Sequence, residues 1–260
     1  MRLDGKVAFI TGGGSGIGEG AAKTFARAGA AIAVVDVRRE PAEAVAAAIR
    51  EEGGTAEAFI ADVRDEDAVH EAISGAVRRF GALNVVFANA GINGMQTAIE
   101  EMTLEEWRQT IDTNLTGTFL TVKHAIPHLR TAGGGSIVIT ASVNGNTLFS
   151  LPGYSCYSTS KGGQVVFAKM AAIELARYGI RVNAIMPGGV ATNIRERTYR
   201  RNLEPITYDI QLPRPFPPLT GRPATPDEVA QLVLFLASDS SSNITGGEFL
   251  IDAGLSLLRG

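Results

Sequence analysis

Apolar residues fall along this chain in two rhythms. Short continuous runs recur at Lys6–Ile10, Ala31–Val35, Glu57–Ala61, Leu83–Ala88, Ser136–Thr140, Ile180–Met186 and Glu248–Ile251. Runs of that length with little polar alternation read as strands covered on both faces. Between them the period changes. Ala21, Ala22, Phe25 and Ala26, then Pro41–Glu52, Asp67–Phe80, Leu104–Arg130, Tyr157–Tyr178 and Pro226–Ala237, carry apolar side chains three and four apart, the stripe of a helix packed on one side. Strand and helix alternate throughout, so the pattern predicts an α/β fold: one doubly wound, seven-stranded parallel sheet flanked by helices on both faces. No linker, repeat or low-complexity tract interrupts it, which predicts a single domain over residues 1–260. The one composition shift is a Pro-rich segment, Leu212 to Pro226. It belongs to a longer insertion at about 191–223 that reads as a lid over bound substrate.

Composition narrows the partners. The chain has 260 residues, 45% of them hydrophobic, and its 27 acidic and 24 basic residues are mixed without a basic block. That distribution points to neither nucleic acid nor an anionic membrane as a partner. The first apolar run is too short for a signal peptide, and no stretch of membrane-spanning length occurs, so a cytoplasmic protein is expected. Cys156 is the only cysteine, which excludes an internal disulfide and a multi-cysteine metal site. His70, His124 and His128 form no metal motif, and no metal is expected.

In a doubly wound sheet, ligands bind beyond the carboxyl ends of the strands. After the first strand comes Thr11-Gly-Gly-Gly-Ser-Gly-Ile-Gly18 and then a helix. Residues without Cβ permit a sharp turn and close approach of a pyrophosphate, while free N–H groups at the helix start favour an anion. The second strand ends at Asp36, placed to hold a ribose diol and to repel a 2′-phosphate, which favours NAD over NADP. Arg38 and Arg39 pull the other way. The third strand leads to Asp62 and Val63, able to flank an adenine. The fourth leads to Asn89-Ala90-Gly91, the fifth to Ser142, Val143 and Asn144, and the sixth to Pro187-Gly188-Gly189-Val190-Ala191-Thr192. Tyr157 and Lys161 stand four apart on a predicted helix, so both lie on one face. An ammonium there favours a phenolate, making the pair a candidate for proton transfer.

These motifs together resemble the short-chain dehydrogenase/reductase family, from Lys6 to about Gly254. The resemblance implies a Rossmann-type sheet and hydride transfer between NAD and a secondary alcohol or ketone. Gly12, Ser15, Gly16, Ile17 and Gly18 are similar to that family's cofactor turn, Asn89, Ala90 and Gly91 to its fourth-strand motif, and Asn114 to its helix asparagine. Ser142, Tyr157 and Lys161 resemble its catalytic set, and Pro187, Gly188, Val190 and Thr192 the segment that meets the nicotinamide carboxamide. The roles implied are proton exchange by Tyr157, lowering of the phenol pKa and holding of the ribose by Lys161, a hydrogen bond from Ser142 to the substrate oxygen, and a water anchored by Asn114 that links Lys161 to solvent. Ser15, where NADP-using members often carry a basic residue, and Val37 after Asp36 strengthen the NAD reading. A homotetramer is also implied, with the helices at Leu104–Arg130 and after Tyr157 and the tail Leu255–Leu258 as contact faces.

Two departures from the family stand out. Fourteen residues separate Ser142 from Tyr157, more than is usual there. Tyr154 would restore the shorter spacing but has Ser158 rather than lysine four residues on, so the catalytic role goes to Tyr157. Ala253 stands where a glycine is common. The expected substrate pocket comprises Met95, Val143, Asn144, Leu148, Phe149, Leu151, Tyr154, Gly189, Ile194 and Tyr199. It is mainly apolar and suits a small-molecule secondary alcohol or ketone, while Arg195, Glu196 and Arg197 could meet a charged one. The alternatives are an NADPH-dependent 3-oxoacyl thioester reductase and a non-catalytic dinucleotide-binding protein.

Overall fold

The computed structural model describes residues 1–148, 151–194, 198–208 and 217–258. Seven strands form one parallel sheet: β1 (Val7–Thr11), β2 (Ala31–Asp36), β3 (Thr55–Ile60), β4 (Val85–Ala88), β6 (Gly135–Thr140), β7 (Ile180–Pro187) and β9 (Glu248–Ile251), in the order β3-β2-β1-β4-β6-β7-β9. Strand order reverses between β1 and β4, which opens a crevice at their carboxyl ends. The expected doubly wound sheet is present. Alternate strand residues feed two separate cores. Ala8, Ile10, Ile32, Val34 and Phe87 pack with α1 (Gly16–Arg27), α2 (Arg39–Glu51) and α7 (Pro226–Ala237). Phe9, Ala33, Val35, Val86 and Ile137 pack on the other face with α3 (Glu66–Phe80), α5 (Gly117–Thr131) and α6 (Ser155–Leu175). Strand periodicity of two is thus read out as one helix layer on each side.

The expected helix Leu104–Arg130 is not continuous. It divides into α4 (Leu104–Ile111), a π turn at Asp112–Thr116, and α5. Apolar periodicity carries through such a turn because it adds a single residue, so the pattern alone does not reveal it. A second sheet was also not anticipated. β5 (Gly94–Gln96) and β8 (Thr198–Arg200) pair in parallel, with Met95 opposite Tyr199; three-residue strands are too short to carry a periodic signal.

The base of the 191–223 insertion is closed by main-chain bonds, Ala191 N to Ala224 O at 2.8 Å and Ala224 N to Gly189 O at 2.9 Å. Farther along, Arg201 pairs with Glu106 at 2.7 Å, and Asn93 Nδ2 donates to Thr198 Oγ1 at 2.8 Å. The insertion is therefore fastened to the α4 side of the crevice. Phe149, Arg195, Glu196 and Arg197 lie outside the described residues, as do residues 212–216 of the Pro-rich segment. Among the described residues no helix is long and apolar enough to cross a membrane.

Candidate active site

The glycine turn after β1 is shaped by close contacts. A Cβ at Gly18 would stand 2.1 Å from the Gly12 carbonyl oxygen, so only glycine lets α1 begin against the turn. Gly12 and Gly16 have φ of +64° and +55°, the left-handed region that favours glycine. A Cβ on Gly16 would meet Thr192 at 3.1 Å, which brings the segment after β7 against the turn after β1. Ser15 precedes α1 without a side-chain cap, and its Oγ accepts from Arg38 at 3.4 Å. Ile17 packs against the α1-side core. The N–H groups of the first turn of α1 therefore face a cradle bounded by Gly12, Ser15 and Thr192.

Asp36 ends β2, 93% buried, and accepts from Gly14 N at 3.2 Å and Arg38 N at 3.0 Å. The carboxylate thus shapes the turn after β1. Arg38 is 3.6 Å from it, whereas Arg39 pairs with Glu43. Arg64 takes both carboxylate oxygens of Asp62, at 2.6–3.0 Å, and these hydrogen bonds hold its pKa below the usual range. Val63 is buried against Gly117. Asn89 joins three strand ends, donating from Nδ2 to Thr11 O at 3.1 Å and accepting from Thr140 Oγ1 at 3.1 Å, while Thr11 Oγ1 receives the N–H groups of Asn89 and Ala90. Thr11 and Thr140 were not singled out from sequence, although each is the last residue of its strand.

Beyond β6, Ser142 begins a tight turn at Val143–Gly145 and accepts from Asn144 N at 3.2 Å. Gly145 sits so close to α6 that a Cβ would lie 2.9 Å from the Lys161 carbonyl carbon. This contact fixes the Ser142 turn to the helix bearing Tyr157 and Lys161. Burial pushes the Tyr157 phenol up to about 12, against a smaller lowering from the neighbouring Ser142 hydroxyl. Lys161 Nζ donates to Thr140 O at 2.7 Å and lies 5.7 Å from the Tyr157 ring centre. Burial pulls its ammonium down to about 7. In this geometry desolvation penalises the charged form of both side chains, and the lysine is turned to a main-chain carbonyl.

Asn114 lies in the π turn, fully buried. Its Oδ1 accepts from Ile92 N at 2.8 Å, and its Nδ2 donates to Ile92 O and to Ser160 Oγ, each at 2.9 Å; Ser160 Oγ in turn donates to Tyr157 O at 2.7 Å. Gly91 separates Asn114 from Lys161. A Cβ there would stand 3.2 Å from Asn114 Oδ1 and 3.5 Å from Lys161 Nζ, so the missing side chain leaves a gap bounded by an acceptor and a donor. Asn114, Ser142, Tyr157 and Lys161 are brought together at one end of the sheet, beside the glycine cradle.

A family model described as enoyl-(acyl carrier protein) reductase matches residues 12–256. Cyclohexanol dehydrogenase from Acinetobacter sp. (strain SE19) is 38% identical over 254 residues, 96% of this chain and 95% of that one. The 2,5-dichloro-2,5-cyclohexadiene-1,4-diol dehydrogenase LinX from Sphingobium indicum is 38% identical over 256 residues, 98% of each chain. A 3-ketoacyl-ACP reductase from Sinorhizobium meliloti 1021 matches in structure with a TM-score of 0.93 at 40% identity, covering 97% of this chain and 100% of that one. The chain belongs to the short-chain dehydrogenase/reductase family. As a short-chain dehydrogenase/reductase it is an oxidoreductase that works with a nicotinamide dinucleotide, and the cradle fits one: the turn has no room for Cβ atoms, the helix start is uncapped, and a carboxylate stands at the end of β2.

Around this short-chain dehydrogenase/reductase crevice the expected pocket residues divide. Met95 and Tyr199 are cross-strand partners in the β5–β8 sheet, and Tyr199 is exposed. Tyr154 meets Tyr157 edge-on with ring centres 5.6 Å apart. Asn144, Gly189 and Ile194 keep some exposure. Val143 and Leu148 do not: both are almost fully buried in a small cluster with Leu255. The C-terminal tail turns inward at Leu255, while Leu257 and Leu258 remain exposed. Pro187 pairs in register with Ile251, and a Cβ on Gly188 would meet Asp252 at 2.8 Å. Val190 bridges to Ala224 at the base of the insertion. Among the described residues no group of three or more His, Cys, Asp or Glu could hold a metal.

Proposed function

We propose that this protein is an NAD-dependent dehydrogenase of secondary alcohols, and the corresponding ketone reductase, with Tyr157 as the acid/base. The observation that carries the reading is the Ser142–Tyr157–Lys161–Asn114 constellation beside a glycine cradle whose neighbouring strand ends in Asp36. NAD would supply the acceptor for the hydrogen on the carbinol carbon, held by Gly12, Ser15, Gly16, Ile17, Gly18, Asp36, Asn89, Ala90, Gly91, Val190 and Thr192, with Asp62 and Val63 on the adenine side and Pro187 and Gly188 on the nicotinamide side.

Tyr157 takes the hydroxyl proton during oxidation and returns it during reduction, while Ser142 holds the substrate oxygen. Lys161 favours the phenolate once it is charged and swung toward the phenol. Asn114 Oδ1 and Lys161 Nζ then bound the Gly91 gap, where one water links the lysine to solvent. The protein's contribution is placement and electrostatics in a crevice from which the 191–223 lid excludes water.

Among possible substrates we favour a cyclic secondary alcohol of small size, because two of the relatives act on six-membered carbocycles and Met95, Tyr154, Ile194 and Tyr199 offer mainly apolar surface. We further propose one domain, a cytoplasmic location, and a homotetramer built through the exposed apolar residues Phe119 on α5 and Val166, Met170 and Ile173 on α6. A second reading, an NADPH-dependent reductase of 3-oxoacyl thioesters, is favoured by the likeness to a 3-ketoacyl-ACP reductase. A screen of secondary alcohols and of a 3-oxoacyl thioester with both cofactors separates the two. The first reading predicts a lower Michaelis constant for NAD than for NADP and turnover of cyclic alcohols; a strong NADP preference with thioester turnover favours the second. Tight cofactor binding without turnover of any substrate would indicate a non-catalytic dinucleotide-binding protein.

A further inference from the structure

The main-chain carbonyl of Asn114, inside the π turn, accepts two side-chain donors: Thr118 Oγ1 at 2.7 Å and Gln164 Nε2 at 2.8 Å. Gln164 lies on α6, three residues past Lys161, and is fully buried. Its Nε2 donates a second time, to Thr118 Oγ1 at 2.7 Å, while its Oε1 is buried without a hydrogen-bond partner. An orphaned buried amide oxygen is unfavourable, and methionine would fill nearly the same volume without it. What glutamine offers here that an apolar side chain cannot is its donor end.

That donor joins two elements that must keep register. The π turn carries Asn114 and α6 carries Tyr157, Ser160 and Lys161. Asn114 is tied to α6 a second time through Ser160, whose hydroxyl reaches the Tyr157 carbonyl. The two links straddle Lys161 in sequence, one residue before it and three after.

We propose that Gln164 is a positioning residue for proton transfer at Tyr157: its carboxamide clamps the Asn114 turn against α6 and so fixes Asn114 Oδ1 relative to Lys161 Nζ across the Gly91 gap. The proposal rests on the reading of Tyr157 as acid/base, and its test separates the two.

In Gln164→Met the fold and NAD dissociation constant are expected to stay at parent values while kcat falls about tenfold, the scale of losing a group that orients a reacting one, and the pH profile of kcat shifts. In the protein without cofactor, the Tyr157 phenol, followed as the ultraviolet difference between each background and its Tyr157→Phe partner, is expected to titrate at a different pH in Gln164→Met. Gln164→Glu can donate only when its carboxyl is protonated, so its kcat relative to parent is expected to recover as pH is lowered. Parent-like kcat and phenol titration in Gln164→Met overturn the proposal, as does a fall in kcat matched by an equal loss of folded protein or bound NAD. If Gln164→Met does not fold, Gln164→Glu decides: relative recovery at low pH supports the clamp, and a pH-independent ratio overturns it. If the parent itself oxidises no alcohol, the proposed activity fails, and the phenol titration still judges the clamp.

Discussion

Burial pushes the Tyr157 phenol up to about 12 and pulls the Lys161 ammonium down to about 7. An anionic ligand beside Lys161 favours the ammonium, and an ammonium within reach favours the phenolate, so the shifts leave the pair dependent on what binds next to it. Sequence showed which residues converge, because each follows a strand or shares a helix face with another. It did not show their resting partners: the Thr140 carbonyl that holds Lys161 and the arginine that holds Asp62 are matters of side-chain direction, which spacing does not encode. Gly91 illustrates the difference. Sequence suggests a small residue admitting a flat cofactor, and the structure adds that it lies between Asn114 Oδ1 and Lys161 Nζ. Gly91→Ala puts a methyl group in that gap, and its backbone has no positive φ to oppose the change. The expected result is a fall in kcat of about tenfold or more with NAD affinity nearly unchanged, measured by steady-state kinetics and direct titration.

At the scale of elements, the long periodic segments were legible and the irregular ones were not. β1, β2 and β7 lie within one residue of the sequence expectation at each end, because short, mostly apolar runs between helical patterns leave little choice. The π turn and the β5–β8 pair depend on tertiary contacts that no local period records. Glu106 shows how such contacts accumulate: it completes the capping box of α4 with Thr103 and also pairs with Arg201 from the insertion. Those bonds depress its pKa to about 2, below its ordinary 4.5. A carboxylate depressed in the folded state contributes stability that is present above its unfolded pKa and is lost as pH falls toward the folded one. Between pH 4.5 and 2 the parent should therefore lose more stability than Glu106→Gln, as read from thermal melts across that range. Ala253 makes a second case. It sits at φ +52°, immediately before Gly254 at +80°. The left-handed region costs an L-residue about 1–2 kcal/mol, partly offset by the roughly 0.5–1 kcal/mol of extra chain entropy that glycine loses on folding. Ala253→Gly should then stabilise the protein by about 0.5–1 kcal/mol, checked by denaturant unfolding.

For the molecule as a whole, the order of strands matters more than any one motif. Reversal of the sheet order between β1 and β4 opens one crevice, and the glycine turn, Asn89-Ala90-Gly91, the Ser142 turn and the segment after β7 border it because each follows a carboxyl end. Within the stretch from Ser142 to Tyr157, Gly145 abuts the Lys161 main chain, which ties the Ser142 turn to α6. Exposed apolar residues on α5 and α6 remain uncovered in one chain. Light scattering should give about four times the chain mass, and Met170→Glu with Ile173→Lys should reduce it to dimer or monomer; a monomeric parent would refute the proposed assembly. The central claim is that Tyr157 exchanges the substrate proton. Its most direct test is the rate of NAD reduction by Tyr157→Phe with the best alcohol substrate, alongside NAD binding to the same variant. The account predicts a loss of about a thousandfold or more in kcat with NAD affinity within a few fold of the parent; turnover close to parent in the phenylalanine variant would contradict it.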